Sequence, residues 1–457
     1  MTRTDESNRT AIILAAGKGT RMKSDLPKVM HAVAGKAMID WSIDLAESAK
    51  CGSIIVVCSP DQDELKAHVE GRLGAGSVAI QHNQLGTGDA VKSAREALGD
   101  LAGTTVVLYG DTPLIRPSAV EELFEAVERG TAVGVLGFHA ADPGAYGRLI
   151  LSPEGGLSKI VEAKDANESE LAVDLCNSGV IAASTSALFD LLQSVTNENA
   201  KGEYYLTDVV GLAAEAGGNN LVVVCDEADV LGVNSRAQLA DANAAFQDRI
   251  RAEFMGNGVT LVAPDTVFFS HDTQIGRDSI IEPNVVFGPG VDVAQEVHIK
   301  AFSHLEGAVI QKGAVIGPYA RLRPGTEIGE KAKVGNFVET KNVELGRGAK
   351  INHLSYAGDG SIGEDANIGA GTIFCNYNGF EKNRTIIGAG AFIGSNSALV
   401  APVRIGAGAY VGSGSVITKD VPAEALAVAR GRQIKREGWA VSYRASMTAK
   451  KEARNGE

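Results

Sequence analysis

The chain of 457 residues contains no apolar run approaching the ~18 residues that a bilayer-spanning helix needs. Its first ten residues, MTRTDESNRT, hold no hydrophobic stretch of the kind an export signal uses. These absences predict a cytoplasmic protein with no membrane partner. Cysteine is scarce as well. The five present, Cys51, Cys58, Cys176, Cys225 and Cys375, are odd in number and never form a C-x-x-C pair, which points away from a disulfide framework and from a zinc site. Positive charge is in deficit: 43 Lys and Arg stand against 56 Asp and Glu, a formal net charge of −13. A nonspecific nucleic-acid binder must neutralise several phosphates at once, so that class is excluded. Any anionic ligand has to be met by local basic clusters.

What is present has two textures. A single core stops growing near ~250 to 300 residues, so a chain of this length should divide. Through residue 235, short apolar runs (AIILAA, SIIVVCS, VAIQH, TTVVLYGD, TAVGVLGF, LVVVCD) alternate with amphipathic stretches such as AMIDWSIDLAESAK. Runs of that length, rich in Val and Ile, predict parallel strands joined by crossover helices, an α/β domain over 1–235. The segment 236–257 has helical apolar spacing and stops at Gly-Asn-Gly, which predicts a connecting helix.

In the remaining domain, 258–457, an aliphatic or aromatic residue recurs every six positions between Ile275 and Ile417, with phase slips: Ile275, Ile281, Phe287, Val293, Ile299, Leu305, then Ile316, Leu322, Ile328, Val334, and finally Ile387, Ile393, Leu399, Ile405, Val411, Ile417. That period suits neither an amphipathic helix nor a hairpin array. It suits a coil whose flat sides each contribute one inward residue and one tight turn. Glycine often follows the inward residue, where it would let backbones stack closely and tolerate turn dihedrals. The insertion FCNYNGFEKNRT, 374–385, interrupts the period and predicts a loop on one face.

The stretch LAAGKGTRMKSDLPKVMH, 14–31, concentrates basic residues directly after the first predicted strand. Open α/β sheets bind ligands outside the carboxyl ends of their strands. Gly17 and Gly19 would let backbone N–H groups approach a polyphosphate while Arg21 and Lys28 offset its charge. The loop is not a Walker A, and GDGSIG at 358–363, which does match G-x-G-x-x-G, sits inside the six-residue array without strand-to-helix context. Asp111 follows TTVVLYG, so its carboxylate should face the same crevice, where a hard oxygen suits Mg2+; capping the turn before Pro113 is the plainer alternative.

LAAGKGTRM followed by DLPK resembles the signature of sugar-1-phosphate nucleotidyltransferases. QLGTGDA, YGDTPL, YGRL, VEAKDA, CNSGV, YYLTD and GVNSR then follow in the order of one subfamily. Together with the hexapeptide half, the chain is similar to the bacterial bifunctional N-acetylglucosamine-1-phosphate uridyltransferase and glucosamine-1-phosphate N-acetyltransferase family. The resemblance implies a Rossmann-like nucleotidyltransferase domain, a linker helix and a left-handed parallel β-helix that assembles as a homotrimer. It implies Mg2+ as cofactor, UTP and acetyl-CoA as co-substrates, and a product that feeds peptidoglycan and lipopolysaccharide precursors.

Carried over residue by residue, the resemblance puts Leu14, Ala15, Ala16, Gly17, Lys28, Gln81, Gly86, Thr87, Tyr109, Gly110, Asp111, Gly147, Glu162, Asn177 and Asn234 around the UDP-sugar, with Asp111 and Asn234 holding the metal and Lys28 and Arg21 serving catalysis. It makes His353 the general base of acetyl transfer. The same resemblance implies Arg323, Lys341, Tyr356 and Asn367 for the acetyl acceptor, and Ala370, Asn376, Tyr377, Ser395, Ser413 and Arg430 for acetyl-CoA. A rival reading is a monofunctional nucleotidyltransferase with a structural or regulatory β-helix; a second is a trimerisation scaffold. The tail after 435 pairs Trp439 with a charged segment that predicts disorder beyond Tyr443.

Overall fold

A computed structural model describes residues 8–99 and 102–455. The chain divides into two compact units, Met1–Glu253 with Phe269–His271, and Phe254–Phe268 with Asp272–Glu457.

The apolar runs of the first unit become a sheet in the order Leu221–Cys225, Val133–His139, Leu175–Ser184, Thr104–Tyr109, Arg9–Leu14, Ser53–Cys58, Val78–Ile80. Alternate residues of each strand feed opposite faces. Ile13, Val56 and Leu108 pack with Ile39, Leu123 and Phe124 on one side, and Ile12, Val57 and Val107 with Val91, Leu188 and Val209 on the other. Burial on both faces is what a near-continuous Val/Ile run encodes. The six runs read from the sequence run parallel to one another, as expected; Leu175–Ser184, not among them, runs antiparallel to both its neighbours, and Arg148–Leu151 with Leu157–Val161 forms an antiparallel pair against it. Here the chain re-enters the sheet from its opposite end.

The segment expected as a connecting helix is the helix Arg236–Gly256, and most of its length belongs to this unit. Ala242 and Phe246 share a core with Val33, Met38, Leu114 and Val233. Gln247 exchanges hydrogen bonds with the backbone of Phe269, at 2.7 and 2.8 Å.

In the second unit the six-residue period becomes a parallel β-helix. Ile281, Ile299, Ile316, Val334, Ile351, Ile368, Ile393 and Val411 pair in one continuous column and are all buried. Successive coils are 17 or 18 residues long; the step from Ile368 to Ile393 is longer because it contains the 374–385 insertion. Glycine divides its roles differently from expectation. Those after the inward residue, such as Gly363 and Gly388, have ordinary dihedrals, but a Cβ there would lie 2.4 Å from the next coil's backbone nitrogen. Close stacking requires them. One row of turns is taken instead by large residues: Phe302, Tyr319, Phe337 and Leu354 all have positive φ, and Phe302, Tyr319 and Phe337 stack in series with ring centroids 4.9 and 5.1 Å apart. Aromatic stacking offsets the backbone cost.

The tail also departs from expectation, since Trp439–Asn455 is a helix. Its sequence has no Gly or Pro and is rich in Ala, Lys and Arg, all strong helix formers, and Trp439 stacks on Tyr443 one turn later at 4.9 Å.

Two candidate active sites

The first site forms where Arg9–Leu14 and Thr104–Tyr109 end side by side, Gly110 N donating to Leu14 O at 3.0 Å. The cleft there measures about 310 Å³, and its walls include Leu14, Ala15, Ala16, Gly17, Lys28, Gln81, Gly86, Thr87, Tyr109 and Asp111. On its wall Lys28 Nζ donates to Asp111 Oδ2 and, at 3.0 Å, to Asn234 Oδ1. Asn234, far away in sequence, is delivered by its neighbour: Val233 N donates to Asp111 O at 2.9 Å. A carboxylate and an amide oxygen thus converge on one cation. That donor set also fits Mg2+, which takes one or two protein oxygens and completes its shell with phosphate and water. Among the described residues no group of three or more His, Cys, Asp or Glu could hold a metal.

Gly19 serves the site indirectly. At φ 58 its missing side chain leaves room for the Lys28 stem, since a Cβ would lie 2.7 Å from Lys28 Cβ. Arg21 stands exposed in the one-turn helix Thr20–Met22 and does not line the cleft. Lys18 and Lys23 are exposed too, with Lys18 close enough to Asp61 to help hold that carboxyl below its usual range, behind the larger effect of the Ser59 hydroxyl. Gln81 donates through Nε2 to Gly86 O at 3.0 Å and Asp89 Oδ2 at 2.8 Å, which leaves its carbonyl oxygen for a ligand. Gly86, at φ 117, lets residues 85–88 run against the YYLTD segment: Tyr204 N donates to Leu85 O at 2.7 Å, Gly88 N to Tyr204 O at 2.8 Å, and Leu206 N to Thr87 Oγ1 at 3.0 Å.

Gly147, Glu162 and Asn177 gather beyond Tyr109. Asn177 N donates to Gly147 O at 2.8 Å, and Gly147 Cα faces Glu162, whose Oε1 would lie 3.5 Å from a Cβ at 147. Gly179 is required next to them, because a Cβ there would stand 2.7 Å from the Tyr109 ring. Burial raises the Glu162 carboxyl above its usual range, with Lys201 opposing. Burial likewise raises the Tyr109 phenol, with Asp111 and Glu162 adding to it. Tyr109 therefore joins the cleft to this group. Gly110 is buried behind the wall instead of lining it. Sequence reading missed Gln84, Val29, Ala90 and Glu203 among the lining residues. Gln84, which donates to Ala16 O at 2.7 Å, had a signal in its place immediately before LGTG.

The second site lies on the β-helix. Pairing of Leu322 with Thr340 and of Lys341 with Gly358 puts Arg323, Lys341 and Gly358 in equivalent positions of three coils. The Tyr356 hydroxyl folds over Gly358, where a Cβ would lie 2.3 Å from that oxygen and 2.9 Å from Asn376 Nδ2. Asn376 Nδ2 donates to Asp359 Oδ2 at 2.5 Å, and Asn342 Nδ2 to Asp359 Oδ1 at 2.7 Å. Burial alone would raise the Asp359 carboxyl. The two amides, with Lys341 and Lys382, outweigh it and hold the group below its usual range. Lys341 is held low in turn, first by contact with Lys382 and further by Arg323. Arg323 pairs with Glu339 at 2.8 Å. Three cations thus crowd one face, a setting for an anion.

One coil separates Asn336 from His353, and Asn336 Oδ1 lies 2.6 Å from His353 Nδ1. An amide oxygen only accepts, so Nδ1 carries the proton and Nε2 of the exposed ring has a free lone pair. Asn367 sits in the Asn367–Ile368 strand between Lys350 and Phe392. Ala370, Ser395 and Ser413 form a column: Asn396 N donates to Ala370 O at 2.7 Å, and Gly414 N to Ser395 O at 2.8 Å. Ser413 is engaged through its backbone, accepting from Arg430 at 2.7 Å. Tyr377 projects from the insertion, its hydroxyl on Gly379 O at 2.6 Å. Asn336, Asn342, Asp359 and Lys382 were missed, and the one-coil spacing of Asn336 to His353 would have found the first.

Residues 11–172 match the model of the MobA-like NTP transferase domain, and 307–342 and 384–419 match the bacterial transferase hexapeptide (six repeats). Curated relatives named Bifunctional protein GlmU align along nearly the whole chain. That of Hyphomonas neptunium is 59% identical over 98% of this chain and 97% of its own, and that of Caulobacter vibrioides 55% over 97% and 96%. The protein of Azorhizobium caulinodans is 53% identical over 96% and 98%. A solved UDP-glucose pyrophosphorylase in complex with UDP-glucose covers 53% of this chain and 99% of its own at 18% identity and a TM-score of 0.44, too distant to bear on the ligand. Identity above half over almost the full length, with a matched domain in each part, makes this chain a member of the bifunctional GlmU family.

Proposed function

We propose that the chain catalyses two consecutive steps of UDP-N-acetylglucosamine synthesis. The second unit acetylates glucosamine-1-phosphate with acetyl-CoA, and the first transfers UMP from UTP to N-acetylglucosamine-1-phosphate, releasing pyrophosphate. The observation that carries the bifunctional reading over the monofunctional one is the second site. An inert coil has no use for a histidine held by Asn336 on one coil face and for three cations, Arg323, Lys341 and Lys382, crowded together on another.

In acetyl transfer the sugar phosphate would rest on Arg323, Lys341 and Lys382. The substrate amine attacks the thioester carbonyl, His353 Nε2 takes the proton that the amine must lose, and coenzyme A leaves as its thiol. Tyr356 and Asn376, fixed over Gly358, would bound the acceptor, with Asn367 beside them. Ala370, Ser395, Ser413 and Arg430 would contact the coenzyme. Tyr377 and Ser395 lie open on this chain, which supports a homotrimer in which copies share the coenzyme site.

In uridylyl transfer the Gln81 carbonyl is placed to accept from uracil N3–H, while Leu14, Ala15, Ala16, Gly17, Gly86 and Thr87 wall the nucleoside. Gly147, Glu162 and Asn177 would take the sugar, its hydroxyls suiting a carboxylate and an amide. A phosphate oxygen of the acceptor attacks the α-phosphorus in line, so positioning and charge do the catalysis. Lys28 neutralises the phosphates and Asp111 and Asn234 would hold Mg2+, which when bound supplies further stabilisation of charge on the departing pyrophosphate. Arg21 would have to reach in from the exposed turn. The substrates are metabolites of the cytoplasm, which supports that location; no helix among the described residues is long and apolar enough to cross a membrane.

The test is an omission series with glucosamine-1-phosphate, acetyl-CoA, UTP and Mg2+. UDP-N-acetylglucosamine should form only with all four, and free thiol should form without UTP. Pyrophosphate released from N-acetylglucosamine-1-phosphate and UTP, with no thiol from the other pair, would establish the monofunctional rival.

A further inference from the structure

His31 closes the basic loop and is nine-tenths buried, 7% of its surface remaining exposed. Its Nδ1 lies 3.2 Å from Nη1 of Arg236, and Nε of the same guanidinium donates to Met22 O at 3.2 Å. A guanidinium can only donate, so Nδ1 accepts and the imidazole proton sits on Nε2. That Nε2 is buried and has no partner. Burial first, and the charge of Arg236 second, hold the imidazole pKa below its ordinary value.

The groups joined here adjoin residues of the nucleotidyl site without lining it. His31 N donates to Lys28 O at 3.3 Å, so the ring is fixed to the turn that carries Lys28. Arg236 lies two residues after Asn234, whose side chain accepts from Lys28 Nζ at 3.0 Å. One guanidinium therefore grips both ends of residues 22–31 and ties them to the segment carrying Asn234. A side chain kept only for filling would be apolar or fully paired, whereas this one keeps an unpaired buried N–H in order to present Nδ1.

We infer that His31 and Arg236 are a positioning pair for uridylyl transfer, holding Lys28 in register with Asn234 and hence with Asp111. The pair touches no substrate and acts through those residues. The inference rests on the uridylyl-transfer reading of the cleft.

The test uses the full-length chain and the variants His31→Leu, His31→Asn and Arg236→Met, with both reactions measured in each preparation across a Mg2+ series. His31→Leu and Arg236→Met should lower kcat for pyrophosphate release ~10- to 100-fold and raise the Mg2+ needed for half-maximal rate. KM for UTP should change little and acetyl transfer not at all. His31→Asn, which keeps an acceptor near the Nδ1 position, should recover to within ~3-fold of the parent. Arg236→Met, altered at an exposed residue, breaks the same tie should His31→Leu fail to fold. Unchanged uridylyl kinetics in Arg236→Met, or His31→Asn as impaired as His31→Leu, would overturn the pair. A parent chain that releases no pyrophosphate overturns the functional reading and the inference with it; an active parent with unaffected variants overturns the inference alone.

Discussion

The Tyr356 hydroxyl occupies the space that a side chain at 358 would need. In Gly358→Ala the new Cβ would meet that oxygen at 2.3 Å and Asn376 Nδ2 at 2.9 Å, where contact distances are about 3.5 Å. Gly358 does not have a positive φ, so the backbone accepts alanine and the strain falls on the two side chains. The hydroxyl has to retreat by about 1 Å or more, at roughly 0.5 to 1.5 kcal/mol for an off-rotamer tyrosine. Restricting the unfolded chain returns about 0.4 to 1 kcal/mol. Stability should therefore stay within about 1 kcal/mol of the parent, a shift of a few degrees at most. Activity is far less tolerant, since a displacement of ~1 Å at a reacting site can cost ~100-fold. Thiol release from acetyl-CoA should drop by about that factor while pyrophosphate release is unchanged. A folded Gly358→Ala protein with full acetyl transfer would refute the placing of Tyr356 and Asn376 at the acceptor.

Asp111→Asn should abolish pyrophosphate release and spare acetyl transfer, and His353→Gln should do the reverse, both followed in the paired assay; loss of both reactions in either folded variant would contradict two independent sites. Asn336→Leu should slow acetyl transfer about tenfold or more by releasing the His353 ring, visible as an altered pH profile; a rate and profile like the parent's would show that the contact does not orient the base. Asp208 is pushed up to about 6, chiefly by burial and then by Glu162 and Asp165. Its folded pKa exceeds its unfolded one, so its favourable contribution is full below about pH 4 and is lost as pH rises through about 6. Discounted for its partial exposure, the penalty at pH 8 is about 1 to 2 kcal/mol. Asp208→Asn should melt higher than the parent near pH 8, with the gain gone near pH 4; a gain independent of pH would refute the assignment.

Much of the second unit was legible because one residue in six must face a narrow core, and Ile281, Ile299 and Ile316 declare it without reference to anything distant. The first unit was legible in its six parallel runs, but not in its antiparallel strands: CNSGVIAAS, broken by Asn, Ser and Gly, has no long apolar run to mark it as a strand. The residues proposed to hold substrates came from the family likeness, whereas those that hold these residues in place did not. Asp359, buried among Asn342 and Asn376, and His31 behind Arg236 look in sequence like any polar residue, since their meaning arises only when coils stack or distant segments meet. The tail was misjudged because charge was weighed before helix propensity. GDGSIG was rightly set aside as a dinucleotide motif: Gly358 and Gly360 lie in the Tyr356–Ile362 strand, Gly363 follows it, and Gly358 makes room for Tyr356.

Each strand of the β-helix pairs only with the coil before it and the coil after it. Cohesion in such an array is a sum over neighbours, so rungs near a free end are held from one side and open most readily. The acceptor residues, Arg323 to Asn376, have coils on both sides. Ser413 and Arg430 lie at the last rungs, closed by the pairing of Tyr410–Val411 with Leu426–Ala427. The residues proposed for the acceptor are therefore held from both sides, and those proposed for the coenzyme lie nearer the end where such an array opens first.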